Sequence, residues 1–262
     1  VKIKEVLVAL EQFAPLPLQE DYDNAGLQVG LTEAEVSGAL LCLDVNEAIV
    51  QEAIQRHCNL IVAHHPLIFH PLRRIAGQDY VQKTVALAIK NDITIVAMHT
   101  NLDSARGGVN YKIAEKIGLT DVQLIGEKKT CDGIEGASGI IGTLPHPTPA
   151  AEFIATVKQQ LEATCAHCNE LLRRPVSRVA ICGGAGAFVM RDAIREKADA
   201  FITGEMHYHE FFGTEQQLQI VVLGHYETEH FTSELLRDII QQALPDVPCC
   251  IATTNTNPII NL

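Results

Sequence analysis

The sequence predicts an α/β protein made of two architecturally similar halves. Short apolar runs rich in branched residues, such as Asn59-Leu-Ile-Val-Ala and Ile93-Thr-Ile-Val-Ala-Met, alternate with stretches of helical periodicity, which is the grammar of parallel sheets. The pattern runs through residues 1–125 and resumes in 126–262, so a boundary is expected near 125. Histidines and carboxylates also cluster where expected strands end, and the carboxyl ends of strands are where open α/β sheets collect ligands.

Taken in order, residues 2–13 carry Ile3, Val6, Leu7 and Leu10 at helical spacing, and Pro15 and Pro17 stop the helix. Asp23-Asn24 with Gly26 reads as a turn into a short strand, Leu27-Gln-Val. A strand is expected over Val36–Val45, then a helix Glu47–Arg56 capped by Asn46. The next strand ends in His64-His65-Pro66, because proline cannot donate to a ladder. An amphipathic helix over 78–90 leads to a strand ending in His99-Thr-Asn-Leu-Asp103, on the same sheet edge as the histidine pair. Gly107-Gly108 opens a helix, Asn110–Ile117.

Gly126–Pro147, rich in Gly, Pro, Thr and Lys, reads as a crossover between lobes, with 138–143 an edge strand. A helix follows from Pro149 to about Leu161, and Cys165–Pro175 is irregular. The strand Ser177–Cys182 runs into Gly183-Gly-Ala-Gly186, which lacks the spacing and the lysine of a phosphate loop and suits tight backbone packing better. A helix over Phe188–Lys197 leads to the strand Asp199–Thr203 and to Gly204-Glu205-Met-His207-Tyr-His209-Glu, with a helix expected to about Gln217. Leu218–Leu223 is a strand ending in Gly224-His225-Tyr-Glu-Thr-Glu229-His230; a helix Leu235–Leu244 and a strand Val247–Ala252 finish the second half.

Composition narrows the function classes. The 262 residues are 47% apolar and 20% charged, a soluble globular balance. The formal net charge of −12 and the absence of tryptophan argue against nucleic acid as a partner. No apolar run approaches about 18 residues, so no membrane span is expected, and the amino-terminal helix lacks a signal-peptide pattern, which points to the cytoplasm. Eight cysteines without a secretory pattern do not imply a disulfide framework. Cys165-Ala-His-Cys168 is a lone CxxC with no second pair at zinc-finger spacing.

The chemistry concentrates in a few residues. His64 and His65 are either ligands turned toward one pocket or surface residues at a loop start. His225 and Glu229 lie four apart and share a face if that segment is helical. With Asp103 they make five N/O donors, one more than a closed tetrahedral zinc takes, which suits two divalent ions sharing a bridging carboxylate. Without a thiolate, the set fits zinc, iron, manganese or cobalt. His99, His207, His209 and His230 are open between partners of the ligands, substrate contacts and surface residues. Glu205, His207 and His209 are candidates for moving protons.

His64-His-Pro-Leu-Ile-Phe, His99-Thr-Asn-Leu-Asp103, Thr203-Gly-Glu-Met-His-Tyr-His, Gly224-His225-Tyr with Glu229, and Asp23-Asn-Ala-Gly-Leu-Gln-Val-Gly30 together resemble the Ngg-interacting-factor-three-like family, whose bacterial members are labelled GTP cyclohydrolase I type 2 homologues. The resemblance implies two interlinked α/β lobes with a dinuclear metal site in the cleft between them, and a ring-shaped homohexamer; with the lobes interlinked, a return of the carboxyl-terminal part of 126–262 to the first lobe is open. Carried over residue by residue, it implies His64, His65, Asp103, His225 and Glu229 as ligands, with Glu229 as the bridge. It also implies a metal-dependent hydrolase acting on a small nucleotide-like or phosphoester substrate. The alternative is a non-enzymatic metal-binding or protein-interaction scaffold.

Overall fold

The computed structural model describes residues 1–261. The chain forms two compact units, Val1–Leu102 with His230–Pro258, and Asp103–Glu229 with the residues from Ile259 onward.

In the first unit, α1 (Ile3–Phe13) buries Ile3, Val6, Ala9 and Leu10, and the Glu5 carboxylate accepts from the Lys2 N–H at 2.7 Å to close its amino end. Next come β1 (Gly26–Val29), β2 (Ala39–Cys42), α2 (Glu47–Gln55), β3 (Leu60–Ala63), α3 (Tyr80–Lys90) and β4 (Thr94–Ala97). Asn46 caps α2 as expected, accepting from the Ile49 N–H at 3.0 Å, and Asp79 caps α3 by accepting from Gln82 at 2.8 Å. Every residue of β2, β3 and β4 is buried, as parallel strands covered on both faces require. Strand β2 is shorter than the expected Val36–Val45. A short helix that the sequence reading did not anticipate, α4 (Thr100–Ser104), starts where the Asp23 carboxylate accepts from the Thr100 N–H at 3.0 Å.

The second unit holds α5 (Val109–Lys116), β5 (Thr120–Cys131), β6 (Ile134–Thr148), α6 (Ala150–Gln160), β7 (His167–Cys168), β8 (Val176–Cys182), α7 (Met190–Arg195), β9 (Ala200–Thr203), β10 (Gln219–Val222) and α8 (His225–Glu229). Its sheet runs β5-β6-β8-β9-β10-β7, with β8, β9 and β10 parallel and the others antiparallel. The expected crossover at Gly126–Pro147 is instead most of a long hairpin, and 138–143 lies inside β6, between β5 and β8, not on an edge. The hairpin turns at Asp132-Gly133, both at positive φ (49° and 80°), which is the favoured two-residue turn chemistry. A boundary at 125 therefore falls inside β5, and Asp103, assigned from sequence to the first lobe, belongs to the second unit. The helix expected to reach Gln217 is a single 3-10 turn, Tyr208–Phe211.

The chain then returns to the first unit. α9 (Thr232–Ala243) buries Leu235, Leu236, Ile239 and Ile240 and packs on α1. β11 (Cys249–Ile251) pairs parallel with β2 and completes the order β1-β4-β3-β2-β11, in which only β1 is antiparallel. The last strand of the sequence thus belongs to the first sheet, not the second. Among the described residues no helix is long and apolar enough to cross a membrane.

Candidate metal centre

In the first unit the ligand-type residues sit where β3 and β4 end. His64 is fully buried, and its Nδ1 lies 2.8 Å from the Met98 carbonyl. His65 places Nδ1 2.7 Å from Asp44 Oδ1, and His99 places Nδ1 2.7 Å from Asp23 Oδ1. Strand alternation would part His64 from His65, but the chain leaves the ladder at Pro66 and the two rings lie 4.9 Å apart. The three histidines offer ligand atoms that all lie within 4.8 Å of one another.

A carbonyl and an ionised carboxylate can only accept. Each of the three Nδ1 atoms is therefore the donor, and in the neutral ring Nε2 carries the lone pair. Imidazoles that bind metals are commonly held this way, by an oxygen on the far nitrogen.

Burial alone would raise the Asp23 carboxyl. The hydrogen bond and charge of His99, with two donors from Thr100, outweigh it and bring the group down to about 2. Asp44 is lowered in the same manner, with His65 and Thr256 overcoming its burial. A depressed carboxyl stabilises the fold above its unfolded value and loses that contribution as pH falls through its folded value. Asp23→Asn is thus expected to cost about 2 kcal/mol near pH 7. The gap from the unaltered protein should close as pH drops from about 4 to about 2, and urea titrations across that range measure it. A pH-independent gap would place the cost elsewhere.

The second unit carries His225 and Glu229 on α8. His225 Nδ1 lies 2.9 Å from Glu205 Oε1, and its Nε2 lies 3.0 Å from Glu229 Oε2. Glu229 is 3% exposed, and a buried carboxylate requires a partner of this kind. The loop Gly183–Gly186 backs the pair. The Gly184 carbonyl accepts from the N–H groups of Gly204 and Glu205, both at 2.9 Å, and its own N–H donates to Thr228 Oγ1 at 3.0 Å. Gly184 has φ +55°, and a Cβ there would strike the Glu229 carboxylate and lie 3.3 Å from His225 Nε2. Asp103 lies on α4; its carbonyl accepts from Asn110 Nδ2 at 3.1 Å, while Asn110 Oδ1 accepts from the Gly183 N–H at 2.9 Å. The expected tight use of these glycines is what the structure has.

Of the proton-moving candidates, Glu205 is the carboxylate that orients His225. His207 lines a cleft of about 390 Å³ with Glu205, Phe188 and Glu210, whereas His209 stacks on Phe212 in an exposed turn. Cys165 and Cys168 belong to no grouping of three ligand-type side chains among the described residues. Cys165→Ser is accordingly expected to leave metal content unchanged in elemental analysis, and a lost equivalent would restore that pair as a site.

The sequence reading missed Asp23 and Asp44 as partners of the histidines, and it read Gly184 as tight packing without its place against Glu229 and His225. Asp44 carried a signal, standing just past β2 on the edge where β3 and β4 deliver histidines. Asp23 read as turn chemistry, and its long-range partner had no local trace.

A family model described as Duf34/NIF3 (NGG1p interacting factor 3) matches residues 1–258. The chain belongs to this family. Among Duf34/NIF3 relatives, a GTP cyclohydrolase 1 type 2 homolog from Lactococcus lactis is 30% identical over 269 residues and matches across 100% of both chains. One from Clostridium perfringens is 32% identical over 231 residues, covering 87% of each. Among solved structures, a Bacillus cereus protein related to NIF3 superposes with a TM-score of 0.88 at 25% identity, covering 100% of this chain and 99% of its own. A hypothetical protein of Staphylococcus aureus gives 0.90 at the same identity and coverage.

Proposed function

We propose that His64, His65, Asp103, His225 and Glu229 hold two divalent ions, with Glu229 bridging them, and that the protein is a metal-dependent hydrolase of a small nucleotide-like or phosphoester substrate. The observation that carries this reading is the common posture of His64, His65 and His225. Each is held at Nδ1 by an oxygen, the orientation in which metal-binding imidazoles are commonly fixed, and His225 aims Nε2 at the Glu229 carboxylate 3.0 Å away, so that donor atoms of both residues converge. The donor chemistry fits. Imidazole and carboxylate suit zinc, iron, manganese and cobalt, and Gly184 keeps the space in front of Glu229 and His225 clear of a side chain.

Two such ions, when bound, bring a water toward ionisation at neutral pH and polarise the bond to be broken. The protein's own part is to place the ligands and to move protons. Asp44 and Glu205 fix the rings of His65 and His225, and Asp23 fixes that of His99, whose ring lies 5.4 Å from that of His65. His207, in the cleft with Glu205, is the side chain we assign to proton transfer. The names of the Lactococcus and Clostridium relatives agree with a nucleotide-like substrate. By the family resemblance the protein assembles as a ring-shaped homohexamer. Sedimentation equilibrium reading six chains per particle supports the ring, and a monomer refutes it.

The deciding experiment is metal content per chain after purification without added metal, paired with a hydrolysis screen over nucleotides and phosphoesters. About two equivalents with metal-dependent turnover is the expected result. Two equivalents with no turnover shifts the reading to a metal-binding or interaction scaffold. No metal, even after reconstitution, removes both.

A further inference from the structure

We propose that Cys58 and Cys250 are an oxidisable pair whose disulfide staples the carboxyl-terminal segment to the first sheet. The two Sγ atoms lie 3.6 Å apart although 192 positions separate them in sequence. A disulfide needs about 2.05 Å, so closure asks the two sulfurs to approach by roughly 1.5 Å. The backbone leaves room for the contact. Cys58 precedes β3 and Cys250 lies in β11, with β2 between those strands. At the level of Cys58, β2 is preceded by Gly38, where a Cβ would lie 3.0 Å from the Cys58 sulfur. Glycine at that position lets the sulfur pass over the strand.

One of the two sulfurs is accessible, and a cation stands beside the contact. Arg56 donates to the Ile251 carbonyl at 2.9 Å, which sets a guanidinium next to Cys250, and its charge acts on both thiols. Cys250 is partly exposed while Cys58 is 6% exposed. Burial and the neighbouring thiol push Cys58 up to about 12, and Cys250, the more accessible sulfur, meets the oxidant first. With hydrogen peroxide as oxidant, the Cys250 thiolate attacks a peroxide oxygen and the O–O bond breaks, giving a sulfenic acid and, with a proton, water. The Cys58 sulfur then displaces the sulfenic oxygen, the S–S bond forms and a second water leaves. The two sulfurs together lose two electrons and the peroxide O–O bond takes them.

What the staple would hold is continuous with the histidine end of the first sheet. After β11, Thr253 and Thr254 donate their N–H groups to the Glu52 carboxylate at 2.8 and 3.0 Å. Thr256 Oγ1 then donates to Asp44 Oδ2 at 2.9 Å, and Asp44 holds His65. Oxidation would fix the start of the segment that ends on the carboxylate orienting His65.

The test treats the folded, reduced protein with hydrogen peroxide and follows intact mass, disulfide-mapped peptides and the thermal unfolding midpoint. The expected result is loss of two hydrogens, a Cys58–Cys250 peptide, reversal by dithiothreitol, and a midpoint raised by roughly 5 °C. Cys58→Ser and Cys250→Ser should each abolish the link, whereas Cys165→Ser and Cys168→Ser should leave it intact. A link between other cysteines, a link formed only in denaturant, terminal oxidation of Cys250 without a link, or a midpoint unchanged or lowered would each overturn the proposal.

Discussion

Replacing Glu229 with Gln is expected to remove most of the bound metal while leaving the fold in place. The amide is nearly isosteric with the carboxylate, so the packing of this 3% exposed side chain is conserved. What changes is the chemistry of the donor. A carboxylate presents two anionic oxygens and can bridge two cations, whereas an amide presents one neutral oxygen. Partners that touch only a metal's ligands typically cost 10–100-fold in affinity when removed, so loss of a bridging ligand should exceed roughly 100-fold. Glu205→Gln is the internal comparison. Glu205 lies 2.9 Å from His225 Nδ1 and acts through that ring, so its replacement should cost about 10–100-fold. Metal per chain by elemental analysis, competition against a chelator for affinity, and circular dichroism for the fold separate these outcomes. Two full equivalents in the Glu229→Gln protein would rule out the bridge. Equal losses in both variants would reduce Glu229 to one ligand among several.

The parts of the fold legible in the sequence are those set by short-range chemistry. Four-residue strands such as β3 and β4 are buried on every side chain and announce themselves as branched apolar runs. Asn46 and its helix were readable because a cap acts three residues away. The β5–β6 hairpin was not, although Asp132-Gly133 is a strong turn signal. Its arms near the turn carry Glu127, Lys128 and Glu135 on exposed positions and Lys129 on a half-buried one, and that polarity reads as linker. The return of the carboxyl-terminal part to the first unit was expected from the interlinked lobes, whereas the pairing of β11 was hidden. Its parallel partner β2 lies more than 200 positions back, and no local pattern encodes that pairing. The same divide runs through the candidate site. Histidines stood out as residue types at strand ends. The carboxylates that aim them, Asp23 for His99 and Asp44 for His65, come from distant segments, Asp23 reading as a turn residue and Asp44 as the end of a strand.

The second large effect is expected at Gly184. This residue has φ +55°, a left-handed conformation that costs an L side chain about 1–2 kcal/mol. In Gly184→Ala the methyl group would also meet the Glu229 carboxylate and the edge of His225. The carboxylate would have to turn away from the space it shares with the imidazole, so the loss should appear in metal binding as well as in stability. Gly133→Ala separates the two causes. Gly133 also has positive φ, +80°, but nothing lies within 4 Å of its Cβ position. It should show the backbone cost of about 1 kcal/mol or a little more, with metal content intact. Gly184→Ala should show a larger drop in urea stability together with a loss of metal. If the two variants behave alike in both measurements, the glycine at 184 serves only its backbone angle. If metal is lost in Gly184→Ala alone, the glycine is there to leave Glu229 and His225 room for an ion.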